Sequence, residues 1–145
     1  MAAILRTNVG SAVSVTTANA IASNSYANAA DKLRINNTGN ALLADFTLTS
    51  ATWATAPVGG VLQLVAVDRD SAGNAGPAPS SSMLGRLVGS FSPSPSTGNA
   101  STGWIMTIPA VPLTADCDYW IYNNGTGYSL AAGAVLTAQP WSPGA

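Results

Sequence analysis

Two pairs of aspartates, Asp68/Asp70 and Asp116/Asp118, come nearest to a catalytic spacing in this sequence. Residues at i and i+2 on an extended strand project from the same face, so each pair sets two negative charges side by side. Glycoside hydrolysis instead needs two carboxylates facing each other across a cleft. Aspartic-protease chemistry would need glycine after Asp70-Ser71, where Ala72 stands. Both pairs therefore read as solvated residues at strand ends. The chain has no histidine, which removes the usual general base and with it the Ser-His-Asp and Cys-His arrangements. Cys117 is the only cysteine and lies between Asp116 and Asp118. Neighbouring negative charge raises a thiol pKa, so Cys117 reads as structural and no intrachain disulfide can form. A Ser-Lys dyad would have to use Lys32, the only lysine, but Ala29 occupies the position three residues before it.

Ligand-binding motifs are equally sparse. Asp68-Arg69-Asp70-Ser71-Ala72-Gly73-Asn74 has the oxygen-rich, glycine-containing look of a calcium loop. It lacks the third acidic ligand and the closing glutamate of an EF-hand, and Arg69 opposes a cation, so a plain turn is the expectation. Gly125-Thr126-Gly127 has Leu130 where a dinucleotide fingerprint needs its third glycine, and reads as a hairpin turn. No cofactor and no metal site are expected. The four tryptophans and four tyrosines could stack on sugar rings, although core packing and protein contact are the plainer roles for them.

With 145 residues the chain fits one domain, and 47% hydrophobic residues can build a core unaided. Charge is the anomaly. Charged residues make up 8%, against roughly 25% in ordinary soluble domains, and the net charge is −1. Electrostatic steering toward nucleic acid or an anionic membrane is not expected. Residues 87–115 and 119–145 carry no charged side chain. Free monomers normally place charges on such strands and loops, which points to burial of these segments in an assembly. The N-terminus, with Arg6, Thr7 and Asn8 interrupting its apolar residues, lacks a signal-peptide pattern and no segment reads as membrane-spanning. Synthesis in the cytosol is the expectation.

The elements that must carry these residues are strands. The chain has no glutamate and one lysine, and is rich in Thr, Val, Ser, Asn and Gly, a composition that favours extended structure and turns. Alternation predicts strands at Ala12–Thr17, Lys32–Asn36, Ala41–Thr49, Val61–Asp68, Met83–Phe91, Trp104–Ile108, Cys117–Asn123 and Tyr128–Gln139. Leu42, Ala44, Phe46 and Leu48 would share an inner face, and Asn37-Thr38-Gly39-Asn40 reads as a hairpin turn. Eight short strands predict an all-β, two-sheet antiparallel sandwich of jelly-roll type. Residues 1–30 are expected to form an N-terminal arm with one short strand, and residues 31–145 the sandwich. Long connections at Asp70–Ser82, Ser92–Gly103 and Pro109–Asp116 are expected to bind a partner. On the strand Cys117–Asn123, alternation sets Cys117, Tyr119 and Ile121 against Asp118, Trp120 and Tyr122. With one face in the core, the other presents aromatics outward. Trp120 and Tyr122, together with Trp141, Pro93 and Pro95, are the expected interface residues.

The run Met83-Leu84-Gly85-Arg86-Leu87-Val88-Gly89-Ser90-Phe91-Ser92-Pro93, with Ser96-Thr97-Gly98-Asn99 and Gly103-Trp104, resembles small β-rich virion proteins of tailed bacteriophages. So does Asp118 to Leu130, together with the Ala/Ser/Thr/Asn-rich, charge-poor composition. The resemblance implies a capsid cement, or decoration, protein on the surface of the virion. Such a protein is not an enzyme. It would bind the major capsid protein, associate with itself as a homotrimer, and bind neither nucleic acid nor membrane. A fibre-head or carbohydrate-binding module of the virion is the alternative.

Overall fold

The computed structural model describes residues 5–80, 85–93, 98–99 and 102–144. Among these described residues eleven strands form two antiparallel sheets: β1 (Arg6–Asn8), β2 (Val13–Thr16), β3 (Ser25–Tyr26), β4 (Leu33–Asn36), β5 (Leu43–Ala51), β6 (Val61–Asp68), β7 (Arg86–Phe91), β8 (Gly98–Asn99), β9 (Gly103–Pro112), β10 (Asp116–Asn124) and β11 (Val135–Pro143). The first sheet has the order β1-β11-β5-β9-β8, with β2 also on β11. The second has the order β3-β10-β6-β7, with β4 also on β10. Set aside the three shortest strands, β1, β3 and β8, and the eight that remain pair first with last, second with seventh, third with sixth and fourth with fifth. That is one long antiparallel hairpin wrapped into two facing sheets, the jelly roll.

Alternation along the strands buries one face of each. Ala44, Phe46 and Leu48 of β5, Leu62, Leu64 and Ala66 of β6, Tyr119 and Ile121 of β10, and Leu136 and Ala138 of β11 meet in one core. Phe46 and Tyr119 join the sheets at its centre, with ring centroids 4.6 Å apart. Where β7 and β9 approach each other, the sheets come so close that a Cβ on Gly89 would lie 2.6 Å from Ile108 Cγ2. Only glycine fits there.

Three connections differ from the sequence expectation. Asn37–Asn40 is no hairpin, because β4 lies in the second sheet and β5 in the first. Asn37 instead closes a corner between the sheets, its side chain accepting from Ala41 N and donating to Ala41 O. Gly125–Gly127 likewise belongs to a crossing, between β10 and β11, and β11 starts at Val135 instead of Tyr128. Pro109 and Pro112 lie inside β9, on its outer side, where proline's missing N–H removes no bond to β5. Leu42 precedes β5 and is exposed.

The stretch expected as an arm is woven into this sandwich. β1 and β2 run in succession along the outer edge of β11, and β3 and β4 do the same along β10. Ile21 is 1% exposed and bridges to Leu130. Asp31, also buried, accepts from Ala18 N, Asn19 N and Asn19 Nδ2. The segment is aperiodic because it is a series of short pieces anchored one residue at a time. Ile21→Ala is expected to lower unfolding free energy by about 2–5 kcal/mol, read from the urea midpoint; a free arm would leave the midpoint unchanged.

Candidate functional site

The charges of this chain are gathered mainly at one end of the second sheet. β4 and β10 lie side by side, with Asp118 opposite Arg34 and Asp116 opposite Asn36. Arg34 reaches along the strand to grip Asp116 with both ends of its guanidinium, at 3.0 and 2.8 Å. Asp118, 1% exposed, is held by Arg69 Nε at 3.0 Å and by Lys32 Nζ at 3.4 Å. Arg69 also donates to Gly73 O. Asp68 accepts from Thr114 Oγ1 at 2.9 Å and pairs with Arg86 at 3.3 Å. Asp70 caps its own turn, accepting from Ala72 N, Asn74 N and Asn74 Nδ2. These groups surround a cleft of about 520 Å³ whose walls include Arg34, Asp68, Arg69, Asp70, Thr114 and Asp116.

The electrostatics of this end lower the pKa of Asp68, Asp70 and Asp116. Burial pushes the Asp68 carboxyl up, but the Thr114 hydroxyl and the Arg86 charge more than offset it, leaving it below the usual range. The Arg34 hydrogen bond lowers Asp116, and the Asn74 hydrogen bonds lower Asp70. Behind them, burial and then the Asp68 charge push the Cys117 thiol up to about 11. The cleft therefore offers fixed, internally compensated charges, with no carboxylic acid or thiolate poised near neutrality. Among the described residues no three carboxylate, thiol or imidazole groups converge as metal ligands would. The Asp68–Asn74 stretch is a turn whose aspartates are engaged by protein donors.

A second ionic knot centres on β5, the middle strand of the first sheet. Asp45 accepts from Ala110 N at 2.9 Å, from Trp141 Nε1 at 3.0 Å and from Arg6 Nη1 at 2.5 Å. The Arg6 guanidinium sits 4.7 Å from the Trp141 ring centroid. The knot bridges a β-bulge between β5 and β9, where Ala110 has a φ of 54°. That left-handed conformation is unfavourable for alanine, and the Asp45 carboxylate anchors its N–H. All five basic side chains of the chain, at both places, are thus paired with aspartates.

The remaining surface is nearly free of charge. On the outer face of the first sheet, Ser14, Thr137, Thr47 and Thr107 stand opposite one another across four strands, and the Thr47 and Thr107 hydroxyl oxygens are 3.4 Å apart. Thr16, Val135 and Thr49 form a neighbouring row. Exposed aliphatics add to the neutral surface: Leu42 and Ile105 are each 61% exposed, and Leu5, Val58 and, on β7 of the second sheet, Leu87 also face out.

The aromatic residues singled out from sequence lie differently from the expectation. Trp120 does point away from the core, yet it is 3% exposed. It forms a second apolar cluster with Val65 and Val67, flanked by Tyr26 and Tyr122, and Lys32 Nζ lies 5.3 Å from its ring centroid. The β6–β7 connection helps to cover this face: a Cβ on Gly76 would lie 2.7 Å from Val67 Cγ1, and Pro79 is buried. Tyr122 is half-buried against Tyr26, centroids 4.5 Å apart. Trp141 is buried in the Asp45 knot, and Pro93 is half-buried. Pro95 lies outside the described residues. The residues that sequence reasoning missed are Asp45 and Arg6, far apart in the chain and without a motif. The outward alternation of Asp45 on β5 was the one available signal.

No family model matches this chain, no curated protein matches it, and no solved structure matches it.

Two outcomes follow from these pairings. Asp118→Ala strands Lys32 and Arg69 without their shared counter-charge and is expected to cost about 3 kcal/mol of stability, measured by urea unfolding. Burial alone would raise the Asp45 pKa, but hydrogen bonds from Ala110, Arg6 and Trp141 bring it below the usual range. Its stabilisation is then complete above the unfolded value of about 3.9 and is lost as pH falls through the lower folded value. The thermal midpoint of the native chain is expected to drop in that acid window, and Asp45→Asn to flatten the drop.

Proposed function

We propose that this chain is a non-enzymatic structural protein of a virus particle, a cement or decoration protein that binds the major capsid protein on the outside of the head. The observation that carries this reading is the internal pairing of every basic side chain. It leaves an outer surface of hydroxyls, amides and aliphatic groups, with no free cation to recruit a phosphate backbone or an anionic membrane. Such a surface gains from being covered. Burying apolar area contributes roughly 25 cal/mol per Å², and many copies bridging capsomer boundaries make separation of the shell costly. The depressed carboxylates and the protonated thiol add no catalytic group to this picture.

The alternative, a sugar-binding head domain, needs exposed aromatic rings for stacking. All four tryptophans are at most 9% exposed, and Tyr128, at 40%, is the aromatic residue most open to solvent among those described. This favours the cement reading.

Shells stripped of the protein are expected to take the purified chain back in a fixed ratio to capsomers and to withstand higher temperature afterwards. Leu42→Asp and Ile105→Asp are expected to weaken that uptake without unfolding the domain. Absence of uptake by the shell, with saturable glycan binding in its place, would overturn the proposal.

A further inference from the structure

Asn124-Gly125 is the only place in the chain where glycine follows asparagine; every other asparagine is followed by a residue with a Cβ. A glycine amide nitrogen is sterically open, and an asparagine side chain beside it is within reach of attack. The Gly125 N–H gives up its proton to water or hydroxide, the nitrogen bonds to Asn124 Cγ, and the Cγ–Nδ2 bond breaks. Ammonia leaves, carrying a proton taken from solvent. The product is a five-membered succinimide, which water opens at either carbonyl to give aspartate or isoaspartate at position 124. Water is the only co-reactant.

The fold holds this peptide away from that reaction. Asn124 is the last residue of β10 and pairs with Val61 of β6. Ring closure needs Gly125 N eclipsed with Cβ about the Asn124 Cα–C bond, whereas an extended strand residue keeps the two well apart. Gly60 packs directly on the peptide: a Cβ there would lie 2.5 Å from both Asn124 O and Gly125 O. The turn before β3 adds a further hold. Asn24, in the left-handed region at φ 61°, donates its N–H to Asn123 O at 2.6 Å. Its side-chain Oδ1 accepts from Gly125 N at 3.0 Å, so the proton that the reaction must remove is engaged in a hydrogen bond. Next to it, Ser23 Oγ accepts from Gly127 N at 3.0 Å.

We propose that Asn124 is a deamidation site and that Asn24 is the positioning residue that keeps it closed. A hydrogen bond to the neutral Gly125 N–H disfavours its loss of a proton. Releasing that bond frees the nitrogen both to ionise and to turn toward Cγ, into a near-attack geometry of about 3–3.5 Å. Conversion therefore follows opening of the 22–25 turn and marks the chains in which that corner has let go. It puts a carboxylate where residues 119–145 otherwise carry no charged side chain. The new charge lies at the far end of β10 from Asp116 and the ionic cleft. None of this depends on capsid binding.

The test incubates the full chain at mildly alkaline pH, folded and unfolded in urea, and follows aspartate and isoaspartate at position 124 by peptide mass spectrometry. The unfolded chain is expected to convert at least about tenfold faster and to give both products; this comparison needs no variant. In the folded state Asn24→Gly keeps the left-handed backbone, removes the acceptor, and is expected to convert about fivefold faster than the parent. Asn24→Asp retains the acceptor oxygen and is expected to match the parent. Ser23→Ala, which loosens the same turn without releasing Gly125, is expected to match it too. Equal rates in the folded and unfolded parent, or aspartate without isoaspartate, overturn the proposal. So does any series of variants in which Asn24→Gly is not set apart from Asn24→Asp and Ser23→Ala.

Discussion

Phe46 on β5 and Tyr119 on β10, both wholly buried, meet at the centre of the sandwich. That contact requires the inner faces of two central strands from opposite sheets to be apolar at the same level. With side chains alternating every second residue, a slip of one position would turn Ala44, Phe46 and Leu48 to solvent and Asp45 inward. Register across both sheets follows from this. Seven consecutive residues of β11 pair with β5, and eight residues of β10 pair with β6. The outer strands then hang from these two frames.

The same alternation that fills the core decides where the few charges can go. Asp118 must point outward because Tyr119 points inward. Its outward position is nevertheless covered, beside Trp120 and under Lys32 and Arg69. A carboxylate with so little solvent persists only with close counter-charges. Asp45, outward on β5, draws in Arg6 from 39 residues before it and the Trp141 indole from 96 residues after it. Charges in this protein are therefore spent on organising its own backbone, and what faces outward is largely neutral. That division links the fold to the proposed role, since a neutral surface associates through shape and apolar burial, with little long-range steering.

The sandwich, the alternation of β4, β5 and β10, and the outward turn of Asp118, Trp120 and Tyr122 were legible in the sequence, because period-two alternation is a local property. The absence of histidine and the scarcity of charge were legible as composition. The Asp45 knot was not, as Arg6 and Trp141 are separated from it by 39 and 96 residues. Nor was the covering of Trp120: alternation says which way a side chain points, and a loop such as the one carrying Gly76 and Pro79 decides whether anything lies over that face.

Sequence by itself determined roughly where the eight principal strands run and, on β4, β5 and β10, how their side chains alternate, for those follow from backbone geometry and side-chain transfer energies over a few neighbours. Tertiary structure alone decided which strands share a sheet. Asn37–Asn40 has the residues of a hairpin turn, but the chain there crosses from one sheet to the other, as it does at every connection between the eight principal strands except that between β6 and β7. A polar turn closes a hairpin or a crossing with the same local chemistry. The choice is made by the long-range pairing of first with last and second with seventh strands, which buries both sheets at once.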